Sequence, residues 1–174
     1  MLPRVAGALL LRPRTYREVG EDESAGIQAG LVIVLVGVIE ATVLSTAHGA
    51  PALDSEQMIY SVLAALIGWL VWSAIVFAVG ARLFGHPLDF RAVARAVAFT
   101  HAPALVYGIA AVSPFTEWRG LALIASLLWF AAALVACVEG LLQVTTSRAL
   151  GITAAALVTH EALHQALRLA GLMA

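Results

Sequence analysis

Apolar residues dominate five long stretches of the chain, and short polar segments separate them. The stretches run from about Ala25 to Ala47, Ile59 to Leu83, Ala92 to Val112, Gly120 to Thr145 and Ile152 to Ala174. Each is close to the ~20 residues that a helix needs to cross the apolar part of a bilayer. The pattern therefore predicts an all-α integral membrane bundle of five transmembrane helices.

The composition agrees with a membrane protein. Hydrophobic residues make up 61% of the 174 residues and charged residues 12%, whereas soluble domains carry about 45–50% and about 25%. A net charge of -1 gives no reason to expect a nucleic-acid partner. The connections are about 5–12 residues long, which leaves no room for a second domain. We expect a single five-helix domain over residues 25–174, preceded by a cytoplasmic or interfacial segment over residues 1–24.

The arginines predict the orientation. If the five helices alternate in direction, eight of the ten arginines fall on one side: Arg4, Arg12, Arg14, Arg17, Arg82, Arg91, Arg95 and Arg148. Loops rich in arginine and lysine stay in the cytoplasm. The N-terminus is therefore expected in the cytoplasm and the C-terminus outside.

Three segments resemble the Yip (Ypt-interacting protein) family, in particular its small bacterial relatives. They are LLLRPRTYREV (Leu9 to Val19), GARLFGHPLDFRAVARAVAFTHAPALVYGIAAV (Gly80 to Val112) and TSRALGI before the last helix. The resemblance implies five helices, a cytoplasmic N-terminus and, for a bacterial relative, the inner membrane. Eukaryotic members bind Rab-type GTPases in vesicle traffic, but this chain lacks their long hydrophilic N-terminal region. We therefore expect a non-enzymatic scaffold, assembly or partner-binding subunit.

The motif His160-Glu161-Ala162-Leu163-His164 matches HExxH, which holds zinc in metalloproteases. A catalytic zinc needs a third protein ligand, and the ten residues after His164 include no Asp, Glu, His or Cys. We therefore predict no catalytic residue, no metal and no cofactor. Because lipid penalises charge, the polar face of this helix should turn into the bundle, with Glu161 accepting a hydrogen bond from a histidine or from Arg168.

Ionisable residues of three predicted helices fall at a similar depth. At 1.5 Å per residue, His160 and Glu139 lie ~13 Å and His101 ~15 Å from the same side of the membrane. We expect these side chains to form a polar cluster whose members satisfy one another's hydrogen bonds and charges. The candidates are His101, Glu139, His160, Glu161 and His164.

Two alternatives to this structural role remain open. The cluster could handle protons, ions or a metal, or one histidine could bind a porphyrin-type pigment. The predicted partners are membrane lipids and either other membrane subunits or further copies of the chain. Trp69 and Trp72 are expected to serve packing, and Pro103 to kink the third helix.

Overall fold

The computed structural model describes residues 1–47, 55–83, 85, 89–111 and 119–169. Regular structure in these ranges is helical throughout, which confirms the all-α class. The α-helices are α1 (Leu2–Leu9), α2 (Pro13–Glu21), α3 (Ala25–Ala47), α4 (Ser55–Ala78), α5 (Phe90–Thr100), α6 (Ala102–Ala111), α7 (Arg119–Leu142) and α8 (Thr146–Leu169). A π-helical turn, Val79–Leu83, extends α4.

Within the described ranges, three helices are long and apolar enough to cross a membrane. They cover Ala25–Val43, Ser55–Ala81 and Gly120–Leu142, which belong to α3, to α4 with its π-turn, and to α7. Large apolar side chains on these helices face outward, including Ile27 at 80% exposure and Leu128 at 68%. A bundle with such a surface suits hydrocarbon rather than water.

The third apolar stretch forms two helices instead of one. His101 is a turn residue between α5 and α6. Pro103 causes the break, because proline has no N–H to donate to the carbonyl four residues earlier and its ring crowds that carbonyl. The kink expected at Pro103 is thus confirmed, and it places His101 at the corner.

The N-terminal segment forms two helices that pack on the bundle. Leu11, with a φ of 53°, reverses the chain between α1 and α2, and the Tyr16 hydroxyl donates to the Ala8 carbonyl at 3.1 Å. Helix α2 then packs against α5 and α7. At the α7 contact a Cβ on Gly140 would lie 2.0 Å from the Pro13 carbonyl oxygen, so only glycine permits this approach.

Small residues also set the spacing of the long helices. A Cβ added to Gly37 of α3 would lie 2.6 Å from the Cα of Val62 in α4. Such close contact between backbones is typical of membrane helices, where small residues allow dispersion contacts to accumulate. Helix α8 packs along α7 and α4, with Ala149, Ile152 and Ala156 buried.

Candidate intramembrane site

Four aromatic rings, three from helices and one from the turn between α5 and α6, form a row through the centre of the bundle. His101, Phe130, Trp72 and His160 lie in this order, and we call them the aromatic row. The centroid distances are 5.0 Å for His101–Phe130, 5.6 Å for Trp72–Phe130 and 4.4 Å for Trp72–His160. The first two contacts are edge-to-face, and the third is stacked with 9° between the planes. Because Phe130 lies midway along α7, the row marks the middle of the bundle.

The break before Pro103 positions His101 at one end of the row. Its Nδ1 lies 3.1 Å from the Val97 carbonyl oxygen. A carbonyl only accepts, so Nδ1 carries the hydrogen in this contact. The Thr100 hydroxyl donates to the same carbonyl at 2.7 Å. These bonds satisfy polar groups at the helix break, where the backbone ladder is interrupted, and fix the direction of the imidazole.

A cavity of about 390 Å³ lies beside the row. We call it the lateral cavity, and it is lined by Val36, Ile39, Glu40, Val43, Trp72, His101, Ala104, Tyr107, Leu123, Ser126, Leu127 and Phe130. Three lining residues, Glu40, Leu123 and Leu127, are exposed, whereas Trp72, His101 and Phe130 are half-buried. The cavity therefore extends from the aromatic row to the surface of the bundle.

Glu139, one of the predicted cluster residues, lies apart from the aromatic row. The Thr146 hydroxyl donates to its carboxylate at 3.1 Å. Glu139 also lines a second cavity, of about 260 Å³, together with Arg14 and Arg17. Glu139 therefore lies with the arginines of α2 near the end of α7, and not beside His101, which contacts Phe130 at the middle of that helix.

The polar residues of the HExxH motif on α8 face two different directions. His160 stacks on Trp72, as expected of an inward face. Glu161 is instead exposed and accepts a hydrogen bond of 2.6 Å from the Gln165 amide, so the prediction that it points into the bundle is wrong. Its neighbours on the helix decide this, because burying Ala149, Ile152 and Ala156 turns position 161 outward. The side chain of His164 lies outside the described residues.

Metal coordination finds no support in the described side chains. Among them, no group of three His, Cys, Asp or Glu residues is placed to hold an ion. His101 and His160 are separated by Phe130 and Trp72, and Glu139 and Glu161 lie elsewhere. The predicted five-residue cluster is therefore not assembled among the side chains that the structure describes.

Sequence reasoning missed two features of the site. Trp72 was predicted to serve packing alone, but it links His160 to Phe130 and lines the lateral cavity. Tyr107 and Ser126, which also line the cavity, were not singled out. A signal did exist for Tyr107, which follows His101 by six residues in the same broken helix.

Comparison with known proteins defines the family. A family model described as the Yip1 domain matches residues 7–163. Neither a curated protein nor a solved structure matches the chain. The match covers the end of α1, all of α2 and most of α8, including the resembling segments at Leu9 to Val19 and Gly80 to Val112. The chain therefore belongs to the Yip1 domain family of helical membrane proteins.

Proposed function

We propose that the chain is a non-enzymatic subunit of a larger membrane complex and binds a partner helix through α8. The observation that carries this proposal is the exposed Glu161–Gln165 pair. These two residues share one stripe with Ala154 and Val158, which are also exposed. We call this stripe the exposed face of α8.

The proposal includes five membrane crossings. Helices α5 and α6 together make one broken crossing of residues 90–111, in addition to α3, α4 and α7. Helix α8 makes the fifth, since it packs along α4 and α7, both of which are candidate spans. The second half of α8 is more polar, which explains why this helix is not among the three that are apolar enough by composition to cross a membrane.

The proposal places the chain in a bacterial inner membrane with its N-terminus in the cytoplasm, and the charge distribution supports this orientation. Arg14 and Arg17 lie beside Glu139 near the end of α7, and Arg95 donates to the Gly20 carbonyl. Arg148 follows in the first turn of α8. Arginines thus gather at one end of the bundle, the arrangement that keeps this end in the cytoplasm.

The position of the Glu161–Gln165 pair in the bilayer makes its exposure important. His160 contacts Trp72, which contacts Phe130 at the middle of α7. Glu161, the next residue, therefore lies near the middle of the bilayer while facing away from the bundle. A charged residue such as Asp costs about 2.5–3.5 kcal/mol at this depth on insertion scales. A polar partner at the exposed face of α8 removes much of this cost.

The chemistry of the pair favours a partner of another sequence. A second copy of the chain would bring two Glu161 carboxylates together, and like charges repel strongly in a medium of low dielectric constant. Among the described side chains, Glu161 accepts from the neutral Gln165 amide, whereas a helix with arginine, lysine or histidine at the same depth would supply a charge-assisted donor. The side chain of Arg168, a donor expected from the sequence, lies outside the described residues. We therefore propose a transmembrane helix with a cationic or imidazole donor as the partner.

Photo-crosslinking in native membranes tests the proposal. A photoreactive amino acid replaces Val158 on α8, or Leu128 on α7 as the control, since these side chains are 69% and 68% exposed. We expect a protein adduct from position 158 only, lost in the Glu161→Leu background, and mapping by mass spectrometry to a helix with such a donor. An adduct with the chain itself, or with lipid alone at both positions, would refute the proposal.

The second arm of the test addresses the HExxH motif. The His160 ring stacks on an indole and Glu161 faces the surface, an arrangement that does not support zinc hydrolysis. Glu161→Gln removes the general base that a metalloprotease needs. We expect this variant to keep the crosslink, because the amide oxygen of glutamine still accepts a hydrogen bond from the donor of the partner helix. Proteolysis by the purified wild-type chain that disappears in Glu161→Gln would contradict a non-enzymatic role.

A further inference from the structure

The size and the lining of the lateral cavity are those of a small-molecule binding site. Its volume of about 390 Å³ falls within the range of about 300–1,000 Å³ for small-molecule sites. Apolar side chains form most of the wall, and a few polar groups, those of Glu40, His101, Tyr107 and Ser126, line it as well. This combination typically fixes the orientation of a bound molecule.

The charge of the lining selects the class of ligand. Glu40 supplies a carboxylate, and no arginine belongs to the described lining. Trp72, Tyr107 and Phe130 add aromatic rings. Ring faces attract cations, and a nearby carboxylate adds Coulomb attraction that strengthens as water is excluded. An anion would gain nothing from either feature.

The position of Glu40 agrees with this chemistry. It lies ~22 Å along α3 from Ala25, and an intramembrane carboxylate is costly without a partner. Glu40 is exposed, as are Leu123 and Leu127 of the cavity wall. A ligand dissolved in the membrane therefore reaches the carboxylate from the bundle surface while its apolar part enters between the helices.

We propose that the lateral cavity binds a lipophilic organic cation, a quaternary or protonated amine. Glu40 is the counter-ion, and the rings of Trp72, Tyr107 and Phe130 surround the cationic and apolar parts. This site is separate from the exposed face of α8, so its test does not depend on the proposed partner.

Binding of radiolabelled tetraphenylphosphonium provides the test. The full chain is placed in nanodiscs of digalactosyldiacylglycerol, whose headgroup is uncharged, and binding is measured by equilibrium dialysis. We expect saturable binding of about one cation per chain, and no saturable binding of radiolabelled tetraphenylborate, an anion of the same shape, when it is measured in a separate experiment. Glu40→Gln should weaken the affinity by about tenfold or more, since it removes the charge and keeps the shape.

Two further variants make the result specific. Glu161→Gln also removes an intramembrane carboxylate, but outside the cavity, and should bind as the wild type does. Ser126→Phe fills the cavity from α7 and should abolish saturable binding. Binding that is unsaturable, equal in wild type and Glu40→Gln, or reproduced by tetraphenylborate would overturn the proposal. A thermal melt confirms that each variant is folded.

The source of the cation is distinguished by repeating the titration in phosphatidylcholine nanodiscs. If the choline headgroup of a lipid is the occupant, it competes and weakens tetraphenylphosphonium binding. If the occupant is a free organic cation, the affinity is the same in both lipids. Both results support a cation site and identify its ligand.

Discussion

Trp72 contacts two other rings and therefore connects three helices. Its indole stacks on His160 of α8 and meets the edge of Phe130 of α7. Aromatic pairs contribute about 0.5–1.5 kcal/mol beyond the burial of their area. Through these contacts, one side chain from the second half of α4 packs against both α7 and α8.

Trp72→Ala should destabilise the bundle by about 3 kcal/mol, the order of a large-to-small core change. Both ring contacts disappear, and the new space joins the lateral cavity. Reversible unfolding in mixed micelles gives the free energy of unfolding. Leu128→Ala, at a 68% exposed site, is the control and should change it little. Equal effects of the two substitutions would show that the aromatic row does not stabilise the fold.

Asp22 introduces pH dependence at the start of α3. Hydrogen bonds from Ser24 and from the Arg4 guanidinium lower its pKa from 3.8 to about 2. A carboxylate with a depressed pKa stabilises the fold above its unfolded pKa, and this stability is lost as the pH falls through the folded value. The contribution is therefore complete above about pH 4 and absent below about pH 2.

Asp22→Asn should remove this contribution. The melting temperatures of wild type and variant should differ at pH 5 and converge as the pH falls from about 4 to about 2. Glu23→Gln, at the exposed neighbouring carboxylate, controls for the loss of a charge. A constant difference between Asp22→Asn and wild type over this range would show that the Asp22 carboxylate does not hold α1, through Arg4, against the connection between α2 and α3.

At the scale of elements, the α2–α7 contact is the tightest constraint on the N-terminal helices. Pro13 at the first position of α2 and the buried Tyr16, Val19 and Gly20 give this short helix one packed face. Proline is favourable at a helix start because its missing N–H needs no partner there. The spacing of these residues signals a helix, although the sequence analysis predicted only an interfacial segment.

Gly140→Ala should loosen α2 from α7. The added Cβ would lie 2.0 Å from the Pro13 carbonyl oxygen, a backbone atom that cannot rotate away. We expect a loss of about 1–3 kcal/mol, as for other overpacked sites, and faster proteolysis between α1 and α3. Gly120→Ala on the same helix, with no atom within 4 Å, is the control. Unchanged proteolysis in Gly140→Ala would contradict the docked position of α2.

At the scale of the whole molecule, hydropathy predicts which segments form helices better than it predicts which side chains of those helices meet. Long apolar runs predicted α3, α4 and α7, and Pro103 predicted the break at His101. Neither the aromatic row nor the outward direction of Glu161 follows from spacing within one helix. Both depend on the rotation and register of packed helices, which small residues such as Gly37 and Gly140 set through contacts far apart in sequence.

The depth of α8 is central to the account, because Glu161 needs a partner only if it faces hydrocarbon. The single cysteine, Cys137, is first replaced by alanine. A new cysteine is then introduced at Val158, Leu128 or Glu23, spin-labelled, and studied in the purified chain in nanodiscs. Power-saturation electron paramagnetic resonance then measures collisions with oxygen, which concentrates in hydrocarbon, and with a water-soluble nickel complex. We predict that label 158 matches label 128, with high oxygen and low nickel accessibility, while label 23 shows the reverse. A label at 158 that matches label 23 would place α8 at the membrane surface and contradict the account.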